Sequence, residues 1–328
     1  MYSKAFIPYR GYFSSPFVRW QGKIQCEHPV PLVADTAKRW FASKNIDPAI
    51  FDYLYLGKTI TQKHSFYSAQ WCAALMGNPN ISALYFGQAC TTGCTAMNLA
   101  AWSVETGMMS CPLALTCDRV SNGPHTMWPQ PMGQGGQPDI EHWVLDNFDY
   151  DPWGQMKMIE TAEEVAKVTK GGVTKEECDE LMVRRYEQYL ESVANDREFQ
   201  KGYMFPVEYA ISKKKKGVVE EDEGITPCTP EGLAPLKPVI PGGVHSFGSQ
   251  THPADGNAGC IVTTREKAKE LSADPNVEIQ IVSYGYARAP KARMGMAPVP
   301  ATVMALEKAG ISVKDIKAIK THAPFIIN

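Results

Sequence analysis

One cysteine in this chain stands where a cysteine can do chemistry. In "ALYFGQACTTGCTAMNLAAWSVETG", residues 83–107, an apolar β-like run turns at Cys90 and continues as an Ala-rich helix. A thiolate is a good nucleophile and a good leaving group, so it suits transfer of an acyl group between thioesters of near-equal energy. At a helix N-terminus the exposed N–H groups and the dipole favour the anion, so a lowered thiol pKa is expected at Cys90. The same N–H groups can stabilise an oxyanion, an effect worth about 3 kcal/mol per donor. Thr91, Thr92 and Gly93 are small enough to keep the approach open for a bulky substrate. By residue type alone a free cysteine is more often a small buried hydrophobe. Cys94 lies one helical turn on, but no second pair completes a metal site, so it is read as packing and no metal is expected.

The elements that must position Cys90 read as an alternation. "KAFIPYR", "FDYLYLG", "SALYFG" and "CPLALTCD" are strand-like. "PLVADTAKRWFASKNI" and "YSAQWCAALM" are helical, the first with Val33, Ala37, Trp40 and Phe41 on one side. This βαβα order predicts an α/β layered fold. From about Asp118 the texture changes. "NGPHTMWPQPMGQGGQPDIEHW" reads as loop, and "MIETAEEVAKV" and "TKEECDELMVRRYEQYLESVAND" read as helices. Thr174 and Glu177 form a capping box at the start of the second. "SKKKKGVVEEDEG" is a charged, hairpin-like excursion, read as solvated. α/β texture returns with "AGCIVTTREKAKELSADPNVEIQIVSYGYA", and "PVPATVMALEKAG" is a helix with Pro298 and Pro300 at its start. Residues 118–243 therefore read as an insertion within an α/β domain.

Bulk properties exclude some partners. With 44% hydrophobic residues, 21% charged residues and a net charge of −2, the composition is globular and gives no reason to expect nucleic acid or an anionic membrane as partner. No apolar run approaches a membrane span, and the N-terminus carries no secretory signal pattern. The nine cysteines are odd in number and scattered, which reads as reduced thiols in a cytoplasmic protein.

Five segments, in order, resemble the thiolase superfamily. "ACTTGCTAMNLAA" resembles its nucleophile motif, and "DRVSNGPH" the start of its loop domain. "MIETAEEVAKV" is similar to a loop-domain helix. "LAPLKPV" followed by "HSFGSQTHPADGNAGCIV" is similar to the passage out of that domain. "MGMAPVPATVMALEKAGISVKDIKAI" resembles the stretch ahead of the third catalytic motif. The resemblance implies a five-layered α/β/α/β/α sandwich of two similar halves with an inserted loop domain. The N-terminal half would span 1–117, completed by 244–263, the loop domain 118–243, and an incomplete C-terminal half 264–328.

By the same resemblance Cys90 is the nucleophile of an acyl-CoA thiolase. It would attack the keto carbon of a 3-oxoacyl-CoA, release an acyl-CoA and pass the acyl group to CoA, or run the reverse Claisen condensation. "KTHAPFIIN" falls where many thiolases carry Asn-Glu-Ala-Phe, which puts His322 at the Asn position. There it resembles the His of sterol-carrier-type thiolases, where the residue helps hold a water against the thioester oxygen. A neutral imidazole can do so with one N–H while its other nitrogen accepts, and because His322 ends a strand beside the motif this reading is favoured over a core histidine satisfied by backbone. Ser246 and Gly248 fall where the family contacts the pantetheine arm, and Met158 and Met294 match methionines lining the acyl pocket. Coenzyme A is expected as co-substrate, with no tightly bound cofactor. A homodimer or larger assembly is expected, and a small zinc-ribbon/OB-fold protein is a further partner that some atypical thiolases use.

The family's Gly-His-Pro and Cys-x-Gly segments are missing. The expectation is a truncated or partly resolved version of a longer chain, or an end supplied by another polypeptide. Two other readings stay open: a thiolase-shaped non-catalytic subunit that scaffolds a partner, and a ketoacyl-synthase-like condensing enzyme. Trp128, Trp143 and Trp153 would suit an aromatic acyl pocket, but aromatic residues in a loop domain more often simply pack it.

Overall fold

The computed structural model describes residues 1–328. In chain order it forms β1 (Phe6–Ile7), β2 (Tyr12–Ser14), β3 (Val18–Arg19), α1 (Pro29–Ser43), β4 (Tyr53–Gly57), α2 (Ser68–Met76), β5 (Ser82–Phe86), α3 (Thr92–Glu105) and β6 (Pro112–Asp118). There follow β7 (His125–Trp128), β8 (Asp139–His142), α4 (Leu145–Asp149), α5 (Met158–Val168), α6 (Lys175–Ser192), α7 (Ala194–Lys201), β9 (Val207–Ser212) and β10 (Lys215–Val219). The chain ends with α8 (Pro230–Leu233), β11 (Ala254–Ile261), α9 (Arg265–Leu271), β12 (Ile279–Gln280) and α10 (Pro298–Ala309). No helix is long and apolar enough to cross a membrane. The chain divides into two compact units.

The first unit comprises 1–124, 199–224 and 253–282. Its central sheet runs β2-β11-β6-β4-β5, with β3 also on β11. β4 pairs in parallel with both β5 and β6, while β11 runs antiparallel to β6. The period of two sorts β4 onto two faces. Leu54 and Leu56 join Val33, Trp40 and Phe41 of α1 and Ala73 and Met76 of α2, whereas Tyr55 joins Ala100, Ala101 and Val104 of α3. Helices thus cover both faces, which is why β4 and β6 read as nearly continuous apolar runs. Each fully buried Leu or Phe in this layer contributes about 1.5–3 kcal/mol. α1 is entered through His28, whose Nδ1 accepts the Val30 N–H at 3.2 Å, with Pro29 supplying a helix-ready φ. The β9–β10 hairpin belongs to this unit although it lies within 118–243. Val207 and Val219 pack with Val18, Ile24 and Leu32.

The second unit comprises 125–198, 225–252 and 283–328. Residues read as loop form the β7–β8 hairpin, pairing His125 with His142 and Trp128 with Asp139. Gly135 and Gly136, both at positive φ, turn the connection, and β-favouring Thr126, Trp128 and Ile140 outweigh the Pro-rich texture. The α6 capping box forms. The Glu177 N–H donates to Thr174 Oγ1 at 3.2 Å, and the Thr174 N–H donates to Glu177 Oε2 at 2.8 Å.

Two strand expectations fail. Of "NVEIQIVSYGYA" only Ile279–Gln280 enters a ladder, on β1. The run ahead of His322, residues 316–321, forms no strand. Instead the Thr251 N–H donates to the Pro324 carbonyl at 2.8 Å and the Ile326 N–H to the Ser249 carbonyl at 3.0 Å.

Candidate functional site

Cys90 sits at a turn that the sheet holds from below. The Lys58 N–H at the end of β4 donates to the Phe86 carbonyl at 2.9 Å. A Cβ on Gly87 would lie 2.6 Å from the Lys58 carbonyl oxygen, and one on Gly57 would lie 2.5 Å from Thr92 Cγ2. Glycine at these two positions is what lets the β5 turn and the first residue of α3 close down on β4. Ala89, just before Cys90, has φ 44°, a left-handed conformation that costs a non-glycine residue about 1 kcal/mol or more.

Hydroxyls lock the turn. Thr92 Oγ1 accepts the Gln88 N–H at 2.8 Å and donates to the Ala89 carbonyl at 2.7 Å, and Thr91 Oγ1 donates to the Gln88 carbonyl at 2.8 Å. The Thr95 N–H donates to the Thr91 carbonyl at 3.0 Å, so the N–H groups of Gly93 and Cys94 precede the helical ladder. Nothing would lie within 4 Å of a Cβ on Gly93.

The electrostatics correct one expectation. Cys90 is exposed by surface area, yet enough protein surrounds its sulfur for desolvation to raise the thiol pKa above 9.0, with its own N–H a smaller opposing influence. The protein packed around a thiolate, more than its contact with solvent, sets the stability of the ion. α3 begins at Thr92, two residues beyond Cys90, and the lowering influence of the backbone at the turn is outweighed by burial. Reaction at neutral pH therefore calls for a group that takes the thiol proton. Cys94 is exposed rather than packed, a second correction.

Beneath the turn is a buried ionic layer that sequence reading passed over. Lys58 is 1% exposed, and its ammonium donates to Ser65 Oγ at 2.7 Å and lies over the Tyr85 ring at 4.8 Å. Asp118, at the end of β6, accepts the Ile60 N–H at 2.8 Å and the N–H and hydroxyl of Thr59. Burial lowers the Lys58 pKa and raises that of Asp118, and each charge partly offsets the other's shift. The signal was a lysine immediately after the glycine that ends a buried strand.

Ser246, Gly248, Met158, Met294 and His322 lie in the second unit. Ser246 is fully buried, and its hydroxyl accepts the Gly248 N–H at 3.1 Å, so it serves as the cap of a short turn. A Cβ on Gly248 would sit 2.4 Å from Leu233 Cδ2, and Phe247 between them is 77% exposed. Met158 opens α5, and Met294 belongs to a 3-10 turn (Met294–Met296) packed on that helix. His322 is open to solvent by area, while desolvation by surrounding protein lowers its pKa below 6.5 and favours the neutral ring. His125 meets His142 with ring centroids 4.7 Å apart, His252 is exposed, and Lys213 to Lys216 lie exposed around the β9–β10 turn. A second missed feature is Glu163, buried on α5 and paired with buried His245 at 3.0 Å. Its signal was an acid between Ala162 and Ala166 on an otherwise apolar helix face.

The family description "Thiolase, N-terminal domain" matches residues 13–266, well over half of the chain. The chain belongs to the thiolase family. It is 29% identical over 265 residues to an acetyl-CoA acetyltransferase of Syntrophomonas wolfei, a match covering 78% of this chain and 64% of that one. It is 27% identical over 318 residues to an acetyl-CoA acetyltransferase of Yarrowia lipolytica, covering 95% of this chain and 77% of that one. Among solved structures, the Bacillus anthracis acetyl-CoA acetyltransferase superposes with a TM-score of 0.88 at 24% identity, covering 99% of this chain and 81% of that one. Human mitochondrial 3-ketoacyl-CoA thiolase in complex with CoA gives 0.85 at 23% identity, covering 99% and 80%. The thiolase fold is therefore the fold of this chain, a mixed α/β architecture around a central sheet.

Proposed function

We propose that this thiolase-family chain transfers acyl groups between a 3-oxoacyl-CoA and CoA through a thioester on Cys90. The observation that carries the reading is the strand-turn-helix junction. It presents Cys90 on a strained, hydroxyl-locked turn with open space over Gly93 and N–H groups ahead of the α3 ladder. The Cys90 sulfur forms a bond to the keto carbon, the C–C bond to the departing acyl-CoA breaks, and the proton lost from the thiol returns to that product's α-carbon. CoA then attacks the thioester and frees the thiol. The first electron flow passes through an oxyanion, which N–H donors at such a turn stabilise.

His322, kept neutral by its surroundings, would hold a water against the thioester oxygen. Met158 and Met294, on elements packed together, would line the acyl pocket, with the Ser246–Gly248 turn beside the pantetheine arm. CoA is the co-substrate in this reading and no tightly bound cofactor is required. Nine free thiols support a reducing cytoplasm. A homodimer or larger assembly, with or without a small zinc-ribbon/OB-fold partner, completes the proposal.

Intact-protein mass spectrometry after incubation with acetyl-CoA or a 3-oxoacyl-CoA tests it. The expected result is an acyl adduct that is absent from Cys90→Ser and removed by CoA. Thiolysis in that variant should fall by about 10³-fold or more. A folded wild-type chain that takes no acyl group from any of these thioesters would leave a non-catalytic scaffold as the better account.

A further inference from the structure

The second unit holds a buried ionisable pair that the proposed reaction leaves unused. Glu163 on α5 is 4% exposed and His245 is 0% exposed. Glu163 Oε1 accepts the His245 N–H at 2.9 Å and faces His245 Nδ1 at 3.0 Å, while both carboxylate oxygens accept the Val244 N–H at 3.0 Å. The approach is tight, because a Cβ on Gly243 would lie 2.5 Å from Glu163 Oε1.

A carboxylate only accepts, so the bond network assigns the proton to Nδ1 and leaves the Nε2 of a neutral ring as an acceptor. No protein group reaches Nε2. Burying an acid and an imidazole stabilises a fold less well than apolar residues of the same volume would, so packing alone does not account for the pair.

What the ring does touch is the third motif. His245 meets Phe325 edge-to-face, with centroids 5.8 Å apart and planes at 79°. Phe325 follows His322 by three residues, and its neighbours are joined to the chain just after His245 through the Thr251–Pro324 and Ile326–Ser249 backbone bonds. Glu163 fixes His245 in one orientation, His245 fixes Phe325, and the short pairing fixes the register of the segment. We propose that Glu163 and His245 form a positioning pair for the third motif, setting the place of His322 through Phe325. The kinetic meaning of this pair rests on the proposed role of His322, but the placement itself does not.

The test uses the full-length chain and the variants His245→Asn and Phe325→Leu. Histidine-selective NMR reads the His322 line, identified by its loss in His322→Gln. In the wild type that line should titrate below 6.5. In both variants it should move, with its midpoint rising toward 6.5, the ordinary histidine value. A folded His245→Asn protein with an unmoved His322 line and midpoint overturns the proposal. Where His245→Asn does not fold, Phe325→Leu decides on the same criterion.

A kinetic arm separates this inference from the function it deepens. His245→Asn should lower kcat about tenfold at unchanged KM for CoA, and by less than about twofold in a His322→Gln background, because coupled residues are non-additive. Equal losses in both backgrounds assign His245 a merely structural role and overturn the proposal. If His322→Gln alone leaves kcat unchanged, the catalytic reading of His322 fails, and the NMR result still decides the positioning claim.

Discussion

Around Cys90 the backbone is fixed from several sides at once. A left-handed Ala89, two glycines with no room for a side chain, three threonine hydroxyl bonds and the parallel ladder of β4 and β5 all bear on one turn. Around His322 the chain has no ladder of its own. Two backbone bonds between 249–251 and 324–326 and one ring contact locate it. The first region is rigid because its constraints are redundant. The second is set by a few contacts, so single substitutions can move it without unfolding the sheet. A nucleophile that must meet its target at one angle suits the first kind of support. A residue with the water-holding role proposed for His322 can tolerate the second.

Four measurements would break or sharpen this contrast. His322→Ala should lower the thiolysis rate by about 10- to 100-fold with little change in the denaturation midpoint, as expected for one lost oxygen-stabilising group on a lightly held segment. Gly57→Val should damage stability and rate together, because its side chain must displace Thr92 at the head of α3. Overpacking of this kind costs about 1–3 kcal/mol by chemical denaturation. A Gly57→Val protein with wild-type turnover would show that the turn is less rigidly coupled to the sheet than its contacts imply.

The third measurement reads the thiol. In a Cys94→Ser background, iodoacetamide labelling of Cys90, followed by peptide mass, should accelerate through a midpoint above 9.0, since burial raises the pKa and only the thiolate reacts. A midpoint below 9.0 would show that the backbone N–H groups at the turn outweigh burial. Smallest of all, Thr174→Ala removes the α6 cap and should cost about 1 kcal/mol while leaving Cys90 acylation unchanged.

Sequence reading recovers the first unit better than the second, and the reason is physical. α1, β4, α2, β5, α3 and β6 alternate short buried strands with amphipathic helices, so their periodicities declare them. The β7–β8 hairpin does not, because its prolines and glycines suggest loop while its outward Trp128 and Ile140 give no buried face to detect. The place of Cys90 between a strand and a helix was legible from the sequence, but its pKa was not, because the sign depends on how much protein surrounds the sulfur. Lys58 and Glu163 were passed over for a related reason. A charge among apolar neighbours in sequence is usually solvent-facing, and only tertiary packing turns these two inward.

The glycines of the Cys90 turn also divide the ground on which natural selection or a designer can work. At Gly57 and Gly87 any side chain collides with the scaffold, so those positions cannot carry substrate preference. A side chain at Gly93 would meet nothing within 4 Å, close to Cys90 in the chain. If acyl groups pass over Cys90 as proposed, a larger residue at position 93 would narrow the groups admitted without meeting the scaffold that holds the turn.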